Sequence, residues 1–209
     1  MRKALSLVVA LFIAFTGYSQ VSIDPQAGLT LSKIRVKNDG EDAKYLDTHV
    51  GFSAGAAAKY DLTKGFYIKP GVNYTMLGGK EDLAAGAVET TTFHFVTIPV
   101  DFGYDYTLSA TAGKVFAEVG PYARVGIAGT REIETASGEI IDNDFDFGNE
   151  VSELKPFDWG FSMGVGYETP WGIYVKGSYD LGLGNLSNID DQTMNIRNWN
   201  VGIGYRIKF

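Results

Sequence analysis

Residues 198–209, NWNVGIGYRIKF, alternate at every step. Trp199, Val201, Ile203, Tyr205, Ile207 and Phe209 fall on one side of a period-two repeat, and Asn198, Asn200, Gly202, Gly204, Arg206 and Lys208 fall on the other. A period of two is that of a β-strand, whose successive side chains point to opposite faces. A strand with one wet face also alternates, but this one ends on an aromatic residue and brackets its apolar face with Trp199 and Tyr205. A bilayer places its aromatic girdles at those two heights.

The same dyad recurs upstream. Alternating segments run over 21–34, 50–62, 66–76, 96–106, 115–127, 157–168 and 173–182, so with 198–209 eight strands are expected. The connections alternate in length: long at 35–48, 79–91, 128–155 and 184–197, short at 62–65, 107–114 and 169–172. Outer-membrane barrels have short periplasmic turns and long external loops. The expected fold is therefore all-β, an eight-stranded antiparallel up-and-down transmembrane β-barrel, with the N-terminus on the periplasmic side. A soluble barrel would carry the same alternation with the faces exchanged. The small residues of the polar face, Gly160, Gly164, Gly166, Gly202 and Gly204, fit a crowded interior, and the aromatic and branched face fits lipid.

Met1, Arg2 and Lys3 precede an apolar run from Ala4 to Phe15, and Gly17 and Ser19 place small residues at a cleavage site, so residues 1–19 read as a secretory signal peptide and 20–209 as one barrel domain. The run is shorter than the ~20 residues of a membrane helix. Loss of Arg2 and Lys3 would leave 16 basic against 25 acidic residues, a net charge of −9, which argues against nucleic acid as a partner. The chain has no cysteine, so an exported fold has neither disulfides nor thiolate metal ligands.

Six stretches bear a family likeness: FYIKPGVNYTMLGGK at 66–80, VTIPVDFGY at 96–104, GPYARV at 120–125, FDWGFSMGVGY at 157–167, YDLGLGNLSN at 179–188 and GYRIKF at 204–209. In this order they resemble the PorT-like outer-membrane β-barrel proteins of Gram-negative bacteria. The resemblance implies an eight-stranded barrel in the bacterial outer membrane and no catalytic residues. That family normally has a carboxamide or carboxylate before its isoleucine-proline pair, where this chain has Thr97, so nothing depending on that residue carries over.

An eight-stranded barrel has an interior just wide enough for side chains to fill. The inward positions include Asp61, Asp101, Asp105, Glu118, Asp158, Glu168 and Asp180 against Lys59, Lys69, Lys176, Lys208, Arg124 and Arg206. An unpaired buried charge costs several kcal/mol, so this near balance predicts compensated ion pairs and a plugged lumen. Two histidines, His49 and His94, fall near the external strand ends without a serine motif, and the chain is read as a non-enzyme.

In the longest connection, Asp142, Asp144, Asp146 and Glu153 occupy positions 1, 3, 5 and 12 of a calcium loop, but Phe147 stands where that loop needs glycine. The expectation is no cofactor and a solvated acidic display, with calcium on these four residues as the alternative. Phe145 and Phe147 would add a sticky contact for an external ligand or lipopolysaccharide. Expected partners are outer-membrane lipid and lipopolysaccharide, the barrel-assembly machinery during insertion, and an envelope or secretion partner. The protein is expected to be a monomer that displays four acidic loops structurally or adhesively. Membership of a secretion or envelope-assembly machine is the alternative, and a small selective channel the third reading.

Overall fold

The computed structural model describes residues 20–39, 41–83, 86–135, 137–145, 147–148 and 153–209, with the backbone alone at 41–45 and 145. The signal-peptide assignment lies outside them. In chain order the strands are β1 (Val21–Asn38), β2 (Glu41–Tyr45), β3 (Asp47–Thr63), β4 (Phe66–Asp82), β5 (Val88–Ser109), β6 (Gly113–Glu134), β7 (Ile140–Phe145), β8 (Phe157–Glu168), β9 (Ile173–Gly182), β10 (Gln192–Tyr205) and β11 (Ile207–Lys208). Neighbours pair antiparallel in the order β1-β3-β4-β5-β6-β8-β9-β10, and β10 pairs with β1, so eight long strands form a ring.

The register sets the geometry of that ring. From Trp199 the pairing runs through Tyr179, Met163, Val119, Phe102, Ile68 and Tyr60 to Val21, whereas Trp199 itself pairs with Leu31. One circuit is thus displaced by ten residues along β1. For eight strands spaced at the usual interval this stagger corresponds to a tilt of roughly 40° and a backbone radius of about 8 Å.

Inside and outside are reversed relative to a soluble barrel. Trp199, Val201, Ile203 and Tyr205 are exposed, and so are Phe161, Val165 and Val175, whereas Asp158, Glu118, Arg124 and Arg206 are buried. Aromatic side chains mark two levels on the outer surface. Tyr60, Tyr104, Tyr106, Tyr167, Trp171 and Tyr205 lie towards the tight turns, and Phe52, Tyr74, Trp159, Tyr179 and Trp199 towards the loops.

The glycines of the inward face make room for rings. Tyr67, Phe116, Tyr122 and Tyr174 face Gly103, Gly166, Gly160 and Gly204 as direct cross-strand partners, and a Cβ on any of these glycines would overlap the facing side chain. Such aromatic-glycine pairs cover the exposed backbone of the glycine strand and pin register. At the β3–β4 turn, Lys64 and Gly65 have φ values of 50° and 89°, as a two-residue type I′ hairpin requires.

Three of the long connections are largely strand. β4 and β5 continue to Asp82 and Val88, leaving a short link at 83–87, and β6 continues to Glu134 and turns back as β7. The extension of β1 similarly pairs with β2. β5 and β6 have 22 residues each, about twice the 9–11 that span a bilayer, so the sheet rises well beyond the outer girdle. These extensions depart from the apolar-out dyad where they leave lipid.

Candidate functional site

Between the girdles, inward-facing charged side chains pair in three layers. Nearest the tight turns, Arg206 donates to Asp24 through Nε at 3.1 Å and Nη2 at 2.7 Å and also pairs with Glu168. Lys59 donates to Asp105 at 2.7 Å, and Lys114 bridges Asp105 at 3.0 Å and Glu168 at 3.6 Å. In the middle layer Glu118 accepts from Lys69, from Lys176 at 2.5 Å and from the Tyr67 hydroxyl at 2.9 Å. Lys176 also reaches Asp101 at 3.5 Å. Nearest the loops, Arg124 pairs with Asp180 at 2.5 Å and Asp158 at 3.6 Å, and Asn198 and Asn200 donate to Asp180 at 2.9 and 3.1 Å.

Between the middle and outer layers lies a polar chamber of about 90 Å³ lined by Gln26, Asn73, Thr75, Ser162, Ser178 and Asn200. It has room for several waters bridging those groups.

Most of the predicted lumen charges are in place, with four departures. Asp61 and Lys208 sit at the tight-turn rim with side chains 55 % and 62 % exposed, because the strand edges open there. Asp24 and Lys114 take part in the network instead. Asp24 was legible in principle, since it shares the parity of Gly28 and Thr30 on β1; the proline beside it obscured the strand start.

Above the outer girdle the interior changes character. Ile34, Leu77, Phe93, Phe95, Leu186 and Ile196 form a buried apolar cluster, joined by Val36, Leu46, Phe147, Leu154 and Met194. Phe147 belongs to the acidic connection, yet its ring packs 5.7 Å from Phe95 and 6.2 Å from Phe93, centroid to centroid. It was expected as an external sticky contact and is directed into the mouth instead, because burying its ring there removes apolar surface from water. Backbone bonds hold the segment across the opening: Gly148 N donates to Leu154 O at 2.9 Å, Lys155 N to Leu186 O at 2.9 Å and Gly126 N to Pro156 O at 2.7 Å. Asn188 Nδ2 donates to the carbonyls of both Gly148 and Glu153. Beside this segment opens a cavity of about 470 Å³ whose apolar wall includes Val36, Leu46, Leu154 and Met194 and whose border carries Glu81 and Glu89.

Of the four calcium candidates, three are among the described residues. Asp142 and Asp144 lie on β7, paired with Glu132 and Thr130 of β6; Glu153 lies at the mouth beside Gly148; Asp146 is outside the described residues. Among the described residues no three acidic or histidine side chains gather to hold a metal. The histidines are also apart. His49 is buried inside near Thr92, whereas His94 lies on the opposite face, hydrogen-bonded to Tyr74 at 2.5 Å.

A ring of antiparallel strands with apolar side chains outside, charges inside and aromatic levels at both ends is the architecture of a barrel that crosses a bilayer. The family model described as "Outer membrane protein beta-barrel domain" matches residues 15–188. The chain belongs to that family. It is a protein of the bacterial outer membrane, and β10, beyond the matched span, supplies the strand that closes the ring. Among solved structures it is similar to the outer membrane protein OprG of Pseudomonas aeruginosa, at 9 % identity and a TM-score of 0.53, over 91 % of this chain and 97 % of that one. It is also similar to the attachment invasion locus protein Ail of Yersinia pestis, at 16 % identity and 0.47 over 90 % and 99 %, and to Neisserial surface protein A, at 16 % and 0.45 over 90 % and 97 %. No curated protein sequence matches the chain. These likenesses concern the fold.

Proposed function

We propose that this protein is a non-conducting, monomeric outer-membrane anchor whose work is done outside the cell, by the raised β5–β6–β7 sheet and the mouth beside it. The observation that carries this reading is the contrast between the two ends of the interior. Between the girdles the inward-facing charges are mutually paired, and above them lies an apolar cluster against which Phe147 packs. Each charge is committed to a partner, so an entering ion would have to break a buried pair. The overhanging strands, by contrast, reach water with Glu132, Glu134, Asp142 and Asp144 along them.

The reading has no catalytic component. His49 and His94 lie on opposite faces of the wall and share no substrate position.

Two measurements test it together. In planar bilayers the protein should give no single-channel steps above the protein-free membrane. Pull-down of envelope and surface partners should lose its catch when residues 135–139 are retained as a turn but the overhang of β6 and β7 is shortened, with insertion unchanged. Steady conductance would support the small-channel reading. A second reading, membership of a secretion or envelope-assembly machine, is favoured by the PorT-like stretches, none of which lies on the overhang of β6 and β7; it predicts that the shortened protein keeps its partner.

A further inference from the structure

The dyad inverts at a definite height. Towards its outer end β1 presents Leu29, Leu31, Lys33, Arg35 and Lys37 in turn on the outward face, while Thr30, Ser32, Ile34 and Val36 follow on the inward face. On β10, Trp199 gives way to Arg197 outside and Asn198 to Ile196 inside. Apolar-out and polar-in becomes polar-out and apolar-in, which is the pattern of a sheet surrounded by water. The lipid belt therefore ends between the Leu31–Trp199 pair and the Lys33–Arg197 pair, which are successive outward pairs of the same ladder. With the rise per residue and the tilt given above, the second pair stands about 5 Å above the first, at the depth of lipid headgroups.

Lys33 and Arg197 are direct cross-strand partners. Side chains so placed leave the sheet about 5 Å apart, and like charges there repel. The neighbours of this pair on the same two strands, Leu31, Trp199 and Asn195, and Leu181 on β9 are all neutral. Among the described residues neither Lys33 nor Arg197 forms an ion pair. Arg197 Nε is buried and has no hydrogen-bond partner. In a chain of net charge −7, two cations without an ion pair stand side by side at one height of one ladder.

We propose that Lys33 and Arg197 bind the phosphate of an outer-leaflet lipid headgroup, while Leu29, Leu31, Trp199 and Val201 carry its acyl chains. A guanidinium offers a planar fork that matches two phosphate oxygens, and the lysine adds a point charge from the facing strand. The outward apolar row directly below selects a lipid over a soluble phosphate, because a free anion gains nothing from it.

The test uses the full-length mature protein folded into phosphatidylcholine nanodiscs containing a minor fraction of bisphosphorylated lipid A, with bound lipid counted by native mass spectrometry. Wild-type protein should retain lipid A roughly tenfold more than Lys33→Gln/Arg197→Gln, the size expected for loss of charge-assisted hydrogen bonds. Dephosphorylated lipid A should be retained no better than phosphatidylcholine. A charge-matched variant at the opposite rim, Lys64→Gln/Lys208→Gln, should behave as wild type, and heat-modifiable migration on gels confirms that each variant is folded. Equal retention by the Lys33/Arg197 variant, or equal retention of the dephosphorylated lipid, overturns the site. Displacement of lipid A by inorganic phosphate at an equal concentration of phosphate groups overturns the choice of a lipid as its ligand.

Discussion

Glu118→Gln is the substitution to which the lumen should be most sensitive. Glu118 is 4 % exposed and is the shared acceptor for Lys69, Lys176 and Tyr67. Glutamine keeps the shape and one acceptor but removes the charge. Lys69 then has no carboxylate within ion-pair distance among the described residues, since its recorded pair is with Glu118, and Lys176 keeps only Asp101 at 3.5 Å. Removing one partner of a buried pair costs about 3–5 kcal/mol, and two lysines lose a partner here, so a loss towards the upper end is expected. The assay is urea unfolding of the protein in lipid vesicles, followed by tryptophan fluorescence and analysed by linear extrapolation with the m-value held common. The double variant Glu118→Gln/Lys69→Met should regain a large part of the loss, because it withdraws the orphaned cation together with its acid. A loss below about 1 kcal/mol for the single variant would refute the reasoning, since a pair worth so little is one already bathed in water. The lumen would then be a hydrated path and the non-conducting reading would fail with it.

Ile203→Arg, on the outward face between the girdles, should cost about 2–4 kcal/mol in the same assay, whereas Ile207→Arg near the tight-turn rim should cost about 0–1 kcal/mol; equal costs would mean that the two positions do not differ in membrane depth. Gly126→Ala places a methyl group 2.6 Å from the Phe147 ring, so the ring must leave the mouth, and a thiol introduced by Leu154→Cys should react with a water-soluble maleimide several-fold faster in the Gly126→Ala background; unchanged reactivity would show that Phe147 does not hold that segment. Because β7 keeps Asp142 and Asp144 extended along the edge of β6, proteolysis of the 135–156 connection should proceed equally in millimolar calcium and in sodium of matched ionic strength. Protection by calcium alone would support a four-carboxylate cage.

The sequence by itself determined what is local. A period of two is written residue by residue, so the eight spans, the tight turns at 62–65 and 169–172 and the apolar and polar faces of 198–209 could be read directly. The faces were assigned to lipid and lumen from small residues, and Gly160, Gly166 and Gly204 justify that assignment by lying under Tyr122, Phe116 and Tyr174. Which charges meet is not local. Arg206 and Asp24 are 182 positions apart and join only because β10 and β11 close onto β1. Arg124 finds Asp180 and Asn198 across three strands because the ring is staggered by ten residues, a quantity accumulated over all eight pairings and visible in none of them alone. The acidic connection reads as a solvated loop because its charges dominate its composition, yet the burial of one ring, Phe147, against Phe93 and Phe95 outweighs that average and directs it into the mouth. The Lys33–Arg197 pair needed both kinds of information. The inversion of the dyad is in the sequence, but two cations 164 positions apart become neighbours only when the last strand pairs with the first.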